Sequence, residues 1–208
     1  SDSPLAISKI GRKPKENVAW GRSEIEVRAS MEEVLAFLWF FDSRARTKPS
    51  DLEKVVLERS NLHNVIAYVC KKGTHAGFIR LLPREGVQSF VWKRLDWISI
   101  VLVASPSSHD GRPITNERVR VEMPFVAKIE QLSDARCKLV YCQSLSMGEL
   151  VPNAILDHYI TRNMQLTEIV QQYFQQLRPL ELLDEIDAVA MAEAFMLEYT
   201  EKEKGEHK

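Results

Sequence analysis

Residues 86–105 read GVQSFVWKRLDWISIVLVAS. Two runs rich in β-branched and aromatic residues flank Leu95-Asp96, a connection short enough for a hairpin. Side chains alternate between the faces of a strand, yet in QSFVWKR (88–94) and WISIVLVAS (97–105) both alternating sets carry bulky apolar groups. A half-solvated sheet would keep one face polar, so something apolar must cover each face here.

The flanking sequence extends this hairpin into a meander. Upstream, KVVLERS (54–60) and NVIAYVCKK (64–72) surround Asn61-Leu62-His63, a short polar connection that predicts antiparallel pairing. Gly73 and Gly77 mark the turn that leads into residues 86–105. Downstream, SPSSHDGRPITN (105–116) reads as a surface loop from its Ser, Pro, Gly and Asp content. Two further strands follow, ERVRVEMPFVAKIEQL (117–132) and CKLVYCQSLSM (137–147), joined by the polar turn 133–136, with a bulge or bend expected at Pro124.

Helical signals stand at both ends of the meander. GRSEIEVR (21–28) alternates as a half-buried strand, and Ser30-Met31-Glu32-Glu33 then has the form of a capping box. The helix it opens, to about Phe41, is apolar almost all round, so tertiary packing must cover most of it. From Pro152 the period changes: Ile155, Leu156, Tyr159, Ile160, Leu166, Ile169, Val170, Tyr173, Phe174 and Leu177 recur at three- and four-residue steps. This predicts one long amphipathic helix, stopped by Arg178-Pro179, with one face on the sheet.

Outside this unit, residues 1–17 are polar and basic, with Lys9, Arg12, Lys13 and Lys15, and are expected to form a flexible arm. Residues 18–178 are the expected domain. Residues 179–208 carry a second apolar stripe through Leu183, Ile186, Val189, Met191, Ala194, Phe195 and Leu197 before dissolving into charge. That stripe is expected to pack on the domain or to link it to a partner domain. A first residue other than Met leads us to expect an excised fragment.

Bulk composition limits the function classes. A length of 208 residues, 45% hydrophobic and 27% charged, fits one globular domain with appendages. The net charge of −1 provides no footprint for nucleic acid. Cys70, Cys137 and Cys142 are odd in number and lack CxxC spacing, which points away from a disulfide framework or zinc site and towards a reducing, cytoplasmic setting. No apolar run reaches the roughly 18 residues that a spanning helix needs.

Strand, helix, a meander of short-turned strands and a long helix make an α+β class, with a strongly curved antiparallel β-sheet around the C-terminal α-helix. Such a bent sheet can enclose an internal apolar cavity. The same pattern is compatible with Phe90, Trp92, Leu102, Tyr141 and Leu145 filling a solid interior, and periodicity does not separate the two.

In layout and short motifs the chain resembles the StAR-related lipid transfer (START) domains of the helix-grip superfamily. The resemblance runs from about Trp20 to Leu177 and rests on SMEEVLAFLWFF (30–41), PREGVQSFVWKR (83–94), RVRVE (118–122) and SMGELVP (146–152). It implies a cavity for a single lipid, with the loop 105–116 over its mouth and the helix 153–177 packed across the opening. It also implies departures from the family pattern. Phe90 stands where sterol-binding members place a buried arginine, with His75 near the position of its acidic partner. Ser146 and Glu149 replace an acidic residue and a glycine before the last helix, and RTKPSDLE (46–53) lacks a Trp-Asp pair. The ligand class is therefore open.

Motifs of catalysis are missing: GxSxG, HExxH, GxxxxGK[ST] and GxGxxG do not occur. His63, His75, His109, His158 and His207 have unrelated spacings, and no metal or cofactor is expected. Some helix-grip relatives cyclise apolar substrates, and Glu122 is the base such an enzyme would use here, although its alternation with Val121 and Met123 points it away from them.

The expected function is binding, and by extension intermembrane transfer, of a lipid or other apolar molecule, with no enzymatic activity. A ligand-sensing domain of a larger signalling protein is the alternative, and a cyclase- or hydrolase-like enzyme is a third reading. The expected ligand-binding residues are Phe90, Trp92, Leu102, Met123, Tyr141, Gln143, Leu145, Tyr159, Asn163 and Leu166. Gln143, Tyr159 and Asn163 would orient the polar end of the ligand. The expected partners are the lipid, a transiently contacted membrane and a neighbouring domain, without nucleic acid.

Overall fold

The hairpin of residues 86–105 lies within the main sheet of the computed structural model, which describes residues 6–13, 17–76, 79–147 and 151–176. In chain order the elements are β1 (Ile7–Lys13), β2 (Val18–Val27), α1 (Met31–Trp39), a 3-10 turn (Arg44–Arg46), β3 (Asp51–Asn61), β4 (Asn64–Lys71), β5 (Thr74–Ala76), β6 (Ile79–Leu81), β7 (Arg84–Asp96) and β8 (Ser99–Pro106). There follow β9 (Val119–Arg120), β10 (Phe125–Ser133), β11 (Arg136–Ser146), α2 (Asn153–Met164) and α3 (Leu166–Gln176).

The main sheet runs β1-β2-β11-β10-β8-β7-β4-β3 and is antiparallel along that path. Its strand β11 returns beside β2, so the chain's two ends meet in one curled sheet. The architecture is the α+β, helix-grip arrangement that the sequence predicts.

Register sets out the inner face as cross-strand rows. Val65, Phe90, Ala104, Phe125, Gln143 and Gly21 are successive ladder partners from β4 to β2. The next row holds Trp92, Leu102, Ala127, Tyr141 and Ser23, and the one beyond it Ile100, Ile129, Leu139 and Ile25. All of these are buried. Each fully buried large apolar side chain contributes roughly 1.5–3 kcal/mol relative to exposure.

The opposite face is also covered at β3, β4 and β7, where Tyr68, Cys70 and Val87 form a second cluster with Val55, Leu57 and Ile66. Cover on this face stops there: Val87 is in the second cluster, but Val91 is 41% exposed and Trp97 and Ile98 are exposed, so the expectation that both faces of the hairpin are covered does not hold along its length.

Helix α1 begins as its capping box dictates. Glu33 N donates to Ser30 Oγ at 3.2 Å, and Ser30 N donates to Glu33 Oε2 at 2.7 Å. Val34, Leu35, Ala36, Phe37, Leu38 and Trp39 are all buried, against β8, β10 and β11 on one side and α3 on another. The helix ends at Trp39 rather than Phe41. Its last carbonyls are met by Arg46, whose Nη1 donates to Leu38 O at 2.5 Å.

The structure departs from the sequence reading in several places. Ile7–Lys13, expected within a flexible arm, forms the edge strand β1 on β2. Backbone pairing needs no apolar side chains, and Gly11 leaves room for the indole of Trp20: a Cβ there would stand 2.7 Å from Trp20 Cζ2. The single strand expected at 117–132 is broken at Pro124 into β9 and β10, and β9 pairs parallel with β7. The small hairpin β5–β6 is additional. The long last helix is interrupted at Gln165, giving α2 and α3. The apolar stripe of 179–208 lies outside the described residues.

Candidate functional site

Helices α2 and α3 lie on β1, β2 and β11. Close approach is permitted by Gly21, where a Cβ would come within 2.7 Å of Met164 Sδ. One row further, Ser23 Oγ and Thr167 Oγ1 are 2.7 Å apart and buried. Ser8 Oγ donates to Ser23 Oγ at 3.0 Å, and Thr167 Oγ1 donates to Met164 O at 3.2 Å, which orders the hydroxyls in one direction from β1 to the helix break. Gln171 Nε2 then donates to Glu26 O at 3.0 Å. These polar contacts pin the helices above the β2 side of the inner face.

Towards β7 the inner face is aromatic. Ring centroids link Phe41 to Phe90 at 5.3 Å, Phe90 to Phe125 at 5.6 Å and Phe125 to Tyr141 at 5.2 Å. Beside them Gln88 Nε2 and Gln143 Nε2 both donate to Met123 O, at 2.6 and 3.3 Å. Gln143 is 8% exposed, and its buried Oε1 accepts no hydrogen bond among the described residues. A buried amide oxygen without a partner costs about 1–3 kcal/mol, so this atom is a ready acceptor on an otherwise apolar wall.

A cationic cluster borders the aromatic wall. Lys54 shares the inner face with Val56, and its Nζ donates to Arg46 O at 2.7 Å while standing 5.3 Å from the Phe41 ring centroid. Lys71 is one ladder step diagonal to it, opposite Asp51 on β3 and Arg84 on β7. Asp51 Oδ2 accepts from Lys48 N at 2.9 Å, whereas its buried Oδ1 accepts no hydrogen bond among the described residues. Burial, reinforced by Arg46, Lys71 and Lys48 and opposed by Asp51, lowers the Lys54 ammonium to a pKa of about 7. Burial also pulls Arg46 down to about 10, with Tyr141 and Asp51 opposing it. The pKa values of Lys48 and Lys71 are lowered too, first by burial; Arg162 on α2 adds to the repulsion. Tyr141 is shifted upwards by burial, against the field of Arg46.

The expected ligand-binding residues are distributed along this surface. Phe90, Tyr141 and Gln143 meet around Phe125. Leu102 and Trp92 lie one row on, with Trp92 Nε1 donating to Leu62 O at 3.1 Å and its ring beside His63, towards the β3–β4 turn. Met123 contributes the carbonyl that gathers the two glutamines, and Leu145 is buried opposite Ala19. Tyr159 and Leu166 are half-buried against the same core, and Asn163 is half-buried on α2. Phe41, Phe125 and the cations were not foreseen. Lys54 could have been, since it alternates in phase with the apolar Val56.

The outer face has its own network. Glu85, 4% exposed, accepts from Tyr68 Oη at 2.7 Å and from Arg120 Nη2 at 2.8 Å, and Arg118 Nη1 donates to Tyr68 Oη at 2.6 Å. Arg112, from the loop between β8 and β9, covers the Tyr68 ring at 4.4 Å and pairs with Glu53. The resemblance puts this loop over the mouth of a cavity; its described contacts instead tie it to the outer face. Glu122 is exposed and joins Ser146 only through backbone hydrogen bonds among those described, at 3.1 and 2.9 Å.

Among the described residues no helix is long and apolar enough to cross a membrane, and no group of three or more His, Cys, Asp or Glu could hold a metal ion. No protein-family model matches the sequence, and no curated protein matches it. Solved structures do match. Human STARD10 superposes with a TM-score of 0.70 at 10% identity, over 85% of this chain and 72% of that one. Human StAR-related lipid transfer protein 5 gives 0.63 at 19%, over 80% and 87%. The Zhui aromatase/cyclase from Streptomyces sp. R1128 gives 0.52 at 12%, over 76% and 94%. The curled sheet, the C-terminal helices laid on it and these superpositions together give this chain the helix-grip fold of StAR-related lipid transfer domains.

Proposed function

We propose that this domain binds one lipid or similarly apolar molecule between the inner face of the sheet and the helices α2 and α3, and carries it between membranes. The observation that carries the reading is Gln143: a buried amide oxygen without a partner among the described residues, set in the row of Phe90 and Phe125. Apolar surface of the ligand would be held by the aromatic wall at roughly 25 cal/mol per Å² buried, and its polar end would be oriented by Gln143, Tyr159 and Asn163. The likeness to proteins named for lipid transfer supports this reading. Helices α2 and α3 lie on β1, β2 and β11, and the ligand would take its place beside Phe90 and Val65 in the buried core towards the other end of the sheet.

The domain acts as a binder without chemistry of its own. Glu122, the base that a cyclase-like reading requires, is exposed rather than set among the aromatic residues. Coupling to a neighbouring domain through 179–208 and a cytoplasmic location belong to the same proposal.

The test is extraction of the purified protein with organic solvent, followed by mass spectrometry, and a vesicle-to-vesicle transfer assay. A stoichiometric lipid and transfer that depends on protein concentration are expected. Neither extracted lipid nor transfer would overturn the reading.

A further inference from the structure

Resting on that proposed cavity, we infer that the ligand carries an anionic head group, a phosphate or carboxylate, received by Arg46, Lys54 and Lys71 at the β3–β4 end of the inner face. The argument begins with placement. Lys54 and Lys71 are diagonal neighbours on the same face of the β3–β4 ladder, Arg84 is the ladder partner of Lys71 on β7, and Lys54 is hydrogen-bonded to the backbone of Arg46. The 3-10 turn that carries Arg46 thus folds back over the same end of the sheet.

Among the described residues, cations outnumber carboxylates there. Asp51 is the carboxylate that answers Arg46, Lys48, Lys54 and Lys71, and it spends Oδ2 on the Lys48 backbone N–H. Arg46, Lys54 and Lys71 are half-buried, and half-buried cations that repel one another are costly unless an anion joins them. Burial is the first cause that holds each of the four below its ordinary pKa, and neighbouring cations add to it at Lys48, Lys54 and Lys71.

The surroundings specify an amphiphile rather than a free ion. Lys54 lies over the Phe41 ring, Phe41 touches Phe90, and Phe90 touches Phe125, so the cationic end is continuous with the aromatic wall. An acidic head at Lys54 and Lys71 would lead its chain along that wall towards Gln143. Arg46 is committed in part to the α1 carbonyls, with Nη1 3.4 Å from Phe37 O as well as bonded to Leu38 O, so the two lysines provide the adaptable donors.

Two lipids that differ only in the head group decide it. The protein is incubated with vesicles holding equal amounts of dioleoyl phosphatidic acid and dioleoylglycerol, reisolated, and its bound lipid quantified by mass spectrometry. At least tenfold enrichment of phosphatidic acid is expected, and Lys54→Met/Lys71→Met should bring the ratio down several-fold. Should that double variant not fold, Lys71→Gln alone serves instead and should also lower the ratio, whereas an unchanged ratio would overturn the assignment of the head group to these lysines. Equal uptake of both lipids would overturn the head-group inference and leave the lipid-binding reading standing; uptake of neither would remove both. Inorganic phosphate that binds as tightly as phosphatidic acid would overturn the amphiphile assignment.

Discussion

Ser23 Oγ and Thr167 Oγ1, 144 positions apart in the chain, meet at 2.7 Å in a fully buried contact between β2 and α3. Thr167 also bonds the carbonyl of Met164 next to the helix break, so the hydroxyl that docks α3 also satisfies the end of α2. Thr167→Val keeps the shape and removes the hydroxyl. We expect it to cost about 1–3 kcal/mol in urea unfolding, with a coupling of at least about 0.5 kcal/mol to Ser23→Ala in a double-mutant cycle. Additive single effects would refute the link.

Tyr68 is predicted to hold the β8–β9 loop to the outer face. Its hydroxyl donates to Glu85 and accepts from Arg118, and its ring lies beneath Arg112. Tyr68→Phe should lower stability by about 1–3 kcal/mol, because Glu85 stays buried with one bond fewer. Amide exchange should accelerate in residues 107–118 more than in β10. Uniform acceleration across the sheet would point to a packing defect instead.

Gly73 is predicted to tolerate no side chain. A Cβ there would stand 2.4 Å from Leu81 O and 3.1 Å from Pro83 N, which are backbone atoms that cannot swing aside. Gly73→Ala should cost about 1–3 kcal/mol by overpacking, whereas Lys72→Ala, at an exposed neighbour, should stay within about 0.5 kcal/mol of wild type. Equal midpoints for the two variants in urea would contradict this geometry.

Lys54 makes stability depend on pH in a known direction. Its pKa falls from 10.5 to about 7 on folding, so between those values the unfolded chain binds more protons and stability rises with pH. Below about pH 7 the folded state bears the whole cost of the buried charge. The melting temperature of Lys54→Met, relative to wild type, should therefore be highest near pH 7 and decline by a few degrees, roughly, towards pH 10. A constant difference across that range would show that Lys54 titrates normally.

Much of the fold was legible because it rests on local signals. Alternation in GVQSFVWKR and ISIVLVAS, the polar turns and the Ser30–Glu33 box each encode an element through its own period or its own hydrogen bonds. The doubled apolar pattern of residues 88–94 misled in part: Phe90 and Trp92 enter the main core, whereas Val91 on the other face is 41% exposed. Composition misled at Ile7–Lys13, where the strand is held by backbone ladders to β2 that a polar sequence makes as well as an apolar one.

The sequence by itself determined β2, α1, the main meander and the helical C-terminal stretch, because period, capping and turn chemistry act over a few residues. Only the tertiary structure decided which side chains stand together. Gly21 beneath Met164, Thr167 against Ser23, and Lys54 and Lys71 beside Arg46 arise when a curled sheet brings distant positions into register. Contacts of that kind depend on how strands pair and how closely helices approach, and spacing along the chain does not encode either.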